Sequence, residues 1–400
     1  MVWQRNLWVL CLGVALTGAG YTMCIPFLPL YLLELGVSQG SVTVWSGAVF
    51  SSTFLVAAVL APYWGRLADR TGKKRMLLRA GFCLAITYYL GYLVHSPYEL
   101  LAMRLLQGVA NGFVPAAFAI VSSSVPESKI GPSLGFMQTG LLAGGILGPL
   151  IGGTLSHVYG MRQSFALAAL ILLMTTAAAW LLVEEPKTGA TAKAGSIGQD
   201  IRTALANRPL MNLLGLMLLV YMTTMVLQPL ITVYVAELQG TVAGADLTSG
   251  FIFGLAGIAG AIAAPLWGKL GQKLGFFPIL VAALACSGVI NALQFFIGSV
   301  AQFACIQFVF GLFIAGVMPS LNALVIANTD SDFRGRAFGL TSSANQIGSM
   351  LGPVVGGIIG SFAGIKAVFV LTGLLLLAVA LTVWRGAAIA DKSANSKLPQ

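Results

Sequence analysis

Charge is what this chain has least of. Only 8% of its 400 residues are Asp, Glu, Lys or Arg, and just 12 are acidic, where a soluble domain carries about 25% charged residues. Histidine is nearly missing as well. His95 and His157 stand alone, with no nucleophile or metal-ligand spacing around them. The five cysteines (Cys11, Cys24, Cys83, Cys286 and Cys305) all lie in apolar segments without a C-x-x-C pair, so they form neither a disulfide framework nor a metal site. No Walker-type phosphate loop is present, which removes ATP as an energy source. Together these gaps leave no catalytic reading, no metal and no cofactor.

Apolar sequence fills the space. Hydrophobic residues make up 58% of the chain and the mean hydropathy is +0.90, which no water-soluble globule tolerates. Barrel strands would alternate polar and apolar over about 10 residues. The runs here stay apolar for about 18 or more, and backbone groups in lipid then have to be satisfied inside helices. A crossing needs about 20 such residues, which leaves room for roughly a dozen. Spans are expected near 7–30, 44–64, 76–94, 98–121, 133–156, 163–183, 210–233, 248–267, 277–297, 301–326, 337–360 and 366–385. The chain is therefore read as an all-α integral membrane protein with twelve transmembrane helices. Its first run resembles a signal peptide up to Thr17–Gly20 but continues to Leu33, so it is read as a span.

The net charge of +10 is distributed, not pooled. Counting loops with their immediate flanks puts 19 of the 22 Lys and Arg on one side of the twelve spans. Arg162 and Lys366 fall on the other, and Arg104 lies inside a span. That asymmetry is the positive-inside signal. Both termini are placed in the cytoplasm, in a bacterial inner membrane, and nucleic acid is excluded as a partner.

Sliding the chain over itself by 203 or 204 residues aligns its two halves. Pro26, Tyr31 and Glu34 fall on Pro229, Tyr234 and Glu237; Gly65, Gly72 and Gly108 fall on Gly268, Gly275 and Gly311. One residue later in register, Gly148-Pro149 fall on Gly352-Pro353 and Gly160 on Gly364. An even number of spans per half makes this a parallel repeat, an arrangement that places ligand sites between halves near the midplane. The expected organisation is an N-terminal six-helix bundle over 1–183, a cytoplasmic linker at 184–209, a second bundle over 210–385 and a tail at 386–400.

The densest charge lies at Gly65-Arg66-Leu67-Ala68-Asp69-Arg70-Thr71-Gly72-Lys73-Lys74-Arg75, between the second and third spans. With Arg104-Leu105-Leu106-Gln107-Gly108 and the run Gly140, Gly144, Gly148-Pro149, Gly152-Gly153, it resembles the signatures of the major facilitator superfamily, and within it the bacterial drug/proton antiporters. The resemblance covers nearly all of the span region. It implies two pseudo-symmetric six-helix bundles, and it makes Gly65, Asp69, Arg70, Gly72 and Arg75 a cytoplasmic latch. It also implies that the Gly148-Pro149 motif seals the outer end of the pathway. The second copy of the basic turn has Gln272 at the aspartate position, so the carboxylate latch belongs to one half only.

Arg104 is the charge expected deepest in a span, at a cost of roughly 2.5–3.5 kcal/mol on an insertion scale. Its repeat mate is Gln307. With Gln107 and Gly108 it is assigned a conformational or proton-linked role. Its other reading is an arginine that merely holds backbone carbonyls of the first helix. No carboxylate lies at mid-span, so Glu34 and Glu237, at the outer ends of the first and seventh spans, are the proton-coupling candidates, with a Glu34–Arg104 charge pair considered. Substrate-binding candidates are Asn111, Phe113, Met137, Gln138, Tyr221, Met225, Gln228, Asn322, Asn345 and Gln346. Aromatic, methionine and uncharged polar groups suit greasy, variable ligands because such surfaces repack.

The expected function is alternating-access, proton-coupled export of hydrophobic or cationic compounds by a monomer in the lipid bilayer. A carrier of a defined metabolite (amino acid, sugar or siderophore) is the alternative. A membrane sensor would carry a sizeable soluble domain or long tail, and the segment expected past the last span is only about 15 residues.

Overall fold

The computed structural model describes residues 2–185, 207–329 and 334–395. Among them are twelve helices long and apolar enough to cross a membrane: α1 Val2–Glu34, α2 Val42–Ala68, α3 Lys73–Leu93, α4 Pro97–Ser124, α5 Glu127–Tyr159 and α6 Met161–Leu182, then α7 Arg208–Gln239, α8 Ala245–Leu274, α9 Phe276–Phe296, α10 Val300–Ala327, α11 Gly339–Ala363 and α12 Ile365–Arg385. No strand occurs among the described residues. Most of the expected linker lies outside them, as does the end of the tail. Several spans run longer than the hydropathy suggested, α5 by a turn or more at its start. Their polar ends continue the helix beyond the apolar core.

Local signals set these boundaries twice over. Ser96 accepts from the Glu99 N–H at 3.2 Å, while Glu99 Oε2 accepts from the His95 N–H at 2.8 Å, capping the start of α4. Ser299 and Gln302 repeat the device at the start of α10, with bonds of 3.4 and 3.2 Å. Gly72 and Gly275 stand at φ 101° and 90° between α2 and α3 and between α8 and α9. Gly160 and Gly364 do the same before α6 and α12, at φ 87° and 81°. Only glycine enters that region without strain, so these glycines fix where each rod ends. Helices Val42–Thr71 and Ala245–Leu274 are both 30 residues long, as are Ile130–Tyr159 and Arg334–Ala363. The repeat read from the sequence is a repeat of helix boundaries.

Large apolar side chains remain exposed around the helices, among them Leu181 at 73%, Phe296 at 79% and Phe362 at 89%. In water such a surface would aggregate; in lipid it is the natural exterior. Because lipid is as apolar as a helix face, association has to come from close packing.

Packing divides the described residues into two compact units. One draws on Met1–Ala194, Gln228–Gly254 and Pro353–Ile358, the other on Gly195–Leu227, Leu255–Gly352 and Ile359–Gln400. The first is cored by two clusters, one around Phe27, Tyr31, Phe50 and Phe165, the other around Leu10, Phe113, Ile120 and Met137. It also includes the ends of α7, α8 and α11 that lie opposite the 65–75 turn, hereafter the far end. Thr232 on α7 donates to the Pro26 carbonyl at 2.7 Å, and a Cβ on Gly47 or Gly357 would overlap the Pro353 or Thr43 carbonyl. The second unit is cored by Leu213, Met217, Leu280, Leu321 and Leu376.

Candidate functional site

Arg104 lies two turns into α4 and is 1% exposed. Gly108, one turn on, admits α2 so closely that a Cβ there would sit 2.6 Å from the Thr53 carbonyl. That approach brings α2 acceptors to the guanidinium. Nε donates to the Val49 carbonyl at 3.2 Å and Nη1 to Gln107 Oε1 at 2.6 Å, while Thr53 Oγ1 donates to the Arg104 carbonyl at 2.8 Å. The guanidinium also stands 5.9 Å over the Phe50 ring. Tyr21, Cys24 and Tyr88 lie within its electrostatic reach. Yet Arg104 Nη2, Gln107 Nε2 and the Tyr88 hydroxyl have no hydrogen-bond partner. A buried cation held by neutral acceptors, beside spare donors, is costly and poised for a further partner. Glu34 is not that partner here. It ends α1 at the far end, where its charged neighbours are Arg162 and Asp246.

A second arginine escaped the sequence reading, which counted it with the flank of the basic turn. Arg79 lies inside α3 and donates to the Val109 carbonyl at 3.0 Å and the Asn111 carbonyl at 2.8 Å. Its guanidinium stacks 3.7 Å over the Trp64 ring. These carbonyls are freed because α4 breaks after Ala110, with Gly112 at φ 128°. Asn111 Oδ1 closes the break by accepting from the Gly112 N–H at 2.7 Å.

At the basic turn, a carboxylate from elsewhere holds the start of α3. Glu185, following α6, accepts from the Lys73 and Lys74 N–H groups at 2.6 and 3.2 Å. A carboxylate there meets the positive end of the helix dipole, and a Cβ at Gly72 would lie 2.8 Å from it. Glu184 pairs with Arg5, and its backbone exchanges bonds with the Asn6 side chain at 2.7 and 3.0 Å. Lys74 Nζ reaches the Trp180 carbonyl at 2.8 Å. Gly65, Arg70 and Arg75 are exposed; the Asp69 side chain lies outside the described residues.

The glycine-proline motif of α5 has two faces. Gly148 and Gly152 pack on α1, where a Cβ would overlap Thr22 and the Met23 carbonyl. Pro149 and Gly153 face α8, with the Pro149 carbonyl against Gly250. The α11 copy turns Gly348 and Gly352 onto Tyr221, Met222 and Met225 of α7.

The remaining candidates separate by burial. Phe113 and Met137 are fully buried in the first unit's core. Tyr221, Met225, Gln228, Asn345 and Gln346 are half-buried, and the buried Asn345 Oδ1 has no partner. Gln138, Glu237 and Asn322 are exposed. Within the second unit, Tyr221 and Met225 thus share the α7–α11 contact with α11, which also carries Asn345 and Gln346.

Comparison with known proteins identifies the family. The chain is 38% identical over 387 residues, 95% of it and 92% of the relative, to the multidrug resistance protein MdtG of Yersinia enterocolitica. Against the same protein of Proteus mirabilis it is 33% identical, covering 96% of each chain. Its fold matches a bacterial homologue of the human lysosomal transporter Spinster at TM-score 0.80 and 16% identity, over 96% of both chains. The nucleoside transporter NupG matches at 0.79 and 14%, over 95% and 98%. Residues 10–290 and 213–400 fit the sequence model of the Major Facilitator Superfamily. The chain therefore belongs to the Major Facilitator Superfamily, and is a multi-pass membrane transporter and not an enzyme.

Proposed function

We propose that the chain exports hydrophobic or cationic compounds across a bacterial inner membrane in exchange for protons, as a monomer in the bilayer. The observation that carries this reading is near-full-length kinship with proteins named for multidrug resistance. The bundles at 1–183 and 210–385 rock about the linker at 184–209, exposing one binding region to each side in turn. Both termini and the 386–400 tail are cytoplasmic, which the gathering of 19 of 22 cations at that end supports.

Roles follow from the local chemistry. Tyr221, Met225, Asn345 and Gln346 supply an aromatic, a pliant thioether and two amides for ligands of varied shape. Asn111, Gln138, Gln228 and Asn322 are their counterparts elsewhere, while Phe113 and Met137, fully buried, pack the first unit's core. Arg104, with Gln107 and Gly108, senses the proton-carrying state, and Glu34 and Glu237 exchange protons at the far end. Gly65, Asp69, Arg70, Gly72 and Arg75 latch the cytoplasmic end; Gly148 and Pro149 seal the outer one.

The test is ethidium uptake into everted membrane vesicles from cells carrying the chain. Export predicts accumulation on energisation, drained by nigericin, with matching alkalinisation of the vesicle lumen. Ethidium movement indifferent to the proton gradient sinks the coupling, and no movement of any lipophilic cation sinks the substrate class.

A further inference from the structure

Among the described residues, Arg104 and Asp246 are the only buried charged side chains. Nothing in the sequence singled out the second. Asp246 stands in the first turn of α8, where its Oδ1 accepts from the Leu247 N–H at 2.8 Å and lies 3.6 Å from His157 Nδ1. Both belong to the first compact unit.

The two residues terminate a single seam. A Cβ on Gly153 would sit 2.7 Å from the Asp246 carbonyl and 3.2 Å from the Gly250 Cα, and one on Gly254 would sit 2.6 Å from the Leu150 side chain. Leu150, Gly153 and His157 therefore run along α5 against Gly254, Gly250 and Asp246 along α8, roughly one turn per step. Glycine backbones carry no titratable group, so the seam's only charge chemistry lies at its far-end tip. His157 is 48% exposed in its side chain and Asp246 only 12%, so water can reach the imidazole while the carboxylate stays sheltered.

Of the charges on neighbouring helices, Glu34 is the one coupled to Asp246, and the others lie around Glu34, Tyr31 and Tyr234. Glu34 closes α1 and has Arg162, at the start of α6, and Asp246 as its charged neighbours. Glu99 at the start of α4 joins this group through Tyr31, and α7 brings Glu237 beside Tyr234. The α11 segment 353–358 bears no charge.

We propose that His157 and Asp246 form a proton-operated clasp on the far end of the transporter. A proton on the imidazole turns the contact into an ion pair that holds α5 against α8. Its loss leaves a carboxylate facing a neutral ring, and the seam is released. Imidazole is the side chain that changes charge between about pH 5 and 8, so acidity in the compartment facing the far end holds that end shut. The clasp deepens the reading of the chain as a proton-coupled transporter and supplies a proton site apart from Glu34 and Arg104.

Hydrogen–deuterium exchange of the unlabelled protein in nanodiscs tests it without any substrate. After correction for intrinsic exchange rates, peptides from the far ends of α5 and α8 should be about three- to fivefold better protected at pH 5.5 than at pH 8, the scale of a partly exposed ion pair. His157→Gln should flatten that dependence. Asp246→Asn, which keeps an acceptor for the Leu247 N–H, should do the same without unfolding α8. His157→Lys should hold the high protection at both pH values. Equal pH dependence in the wild type and His157→Gln overturns the clasp. Intact pH-dependent protection in a protein that moves no lipophilic cation would leave the clasp standing and remove the exporter reading.

Discussion

At one depth in the repeat, the two halves solve the same packing problem in opposite ways. Where the first half has Arg104 and Tyr88, the second has Gln307 and Asn291. Gln307 donates to Gln294 at 3.2 Å, Gln294 to Asn291 at 2.9 Å, and Asn291 to Thr372 at 2.7 Å. That chain is neutral, buried and closed. Its counterpart is charged and leaves Arg104 Nη2, Gln107 Nε2 and the Tyr88 hydroxyl without partners. A satisfied polar network stiffens a core, while an unsatisfied one stores free energy that a proton, a ligand or a rearrangement can release. On the function proposed above, the second half serves as a scaffold at this point and the first as a working part. The same division recurs one layer away. Trp267 donates its indole N–H to the Leu312 carbonyl at 2.7 Å. At the matching place Arg79 takes the Val109 carbonyl and Trp64 Nε1 is left without a partner.

The contrast can be broken by moving the charge. Gln307→Arg would bury a second cation with no counter-ion, and should lower unfolding stability by about 3–5 kcal/mol, the cost of an uncompensated buried charge; thermal melting in detergent would report it. Breaking the neutral chain is the next largest step. Asn291→Ala leaves the buried Gln294 Nε2 without its acceptor and should cost about 1–3 kcal/mol by the same measurement. Trp267→Phe keeps the ring but loses one bond to Leu312, an effect of about 0.5–1.5 kcal/mol. Smallest of all, Tyr88→Phe removes a hydroxyl that has no partner, and should shift stability by less than about 0.5 kcal/mol. A large loss from Tyr88→Phe alone would mean that the first half is as fully bonded as the second.

The sequence disclosed what depends on local pattern. Apolar length gave twelve spans. The Gly72/Gly275 and Gly160/Gly364 pairs marked rod ends because positive φ is a property of a single residue. It did not disclose contacts that depend on which helices meet. Arg79 looked like one more cation beside a basic turn until α4 was seen to break within its reach. Glu185 looked like linker, yet it lies on the start of α3. The Glu34–Arg104 charge pair does not form, because α2 brings the Val49 carbonyl to Arg104 while Glu34 lies near Arg162 and Asp246. His157 and Asp246 sit at helix ends that hydropathy assigns to water, yet the carboxylate is buried where α5 meets α8. Spacing along one chain carries no information about a partner about ninety residues away on another helix.

The central claim is that proton-driven work passes through the charged site of the first half. Arg104→Gln, which copies the residue of the second half, tests it most directly in proteoliposomes holding a pH-sensitive dye, with ethidium added to start exchange. The account predicts ethidium-triggered proton movement in the wild type and none in the variant, whose melting temperature stays equal or rises because a buried charge has been removed. Proton movement at the wild-type rate in Arg104→Gln would contradict it.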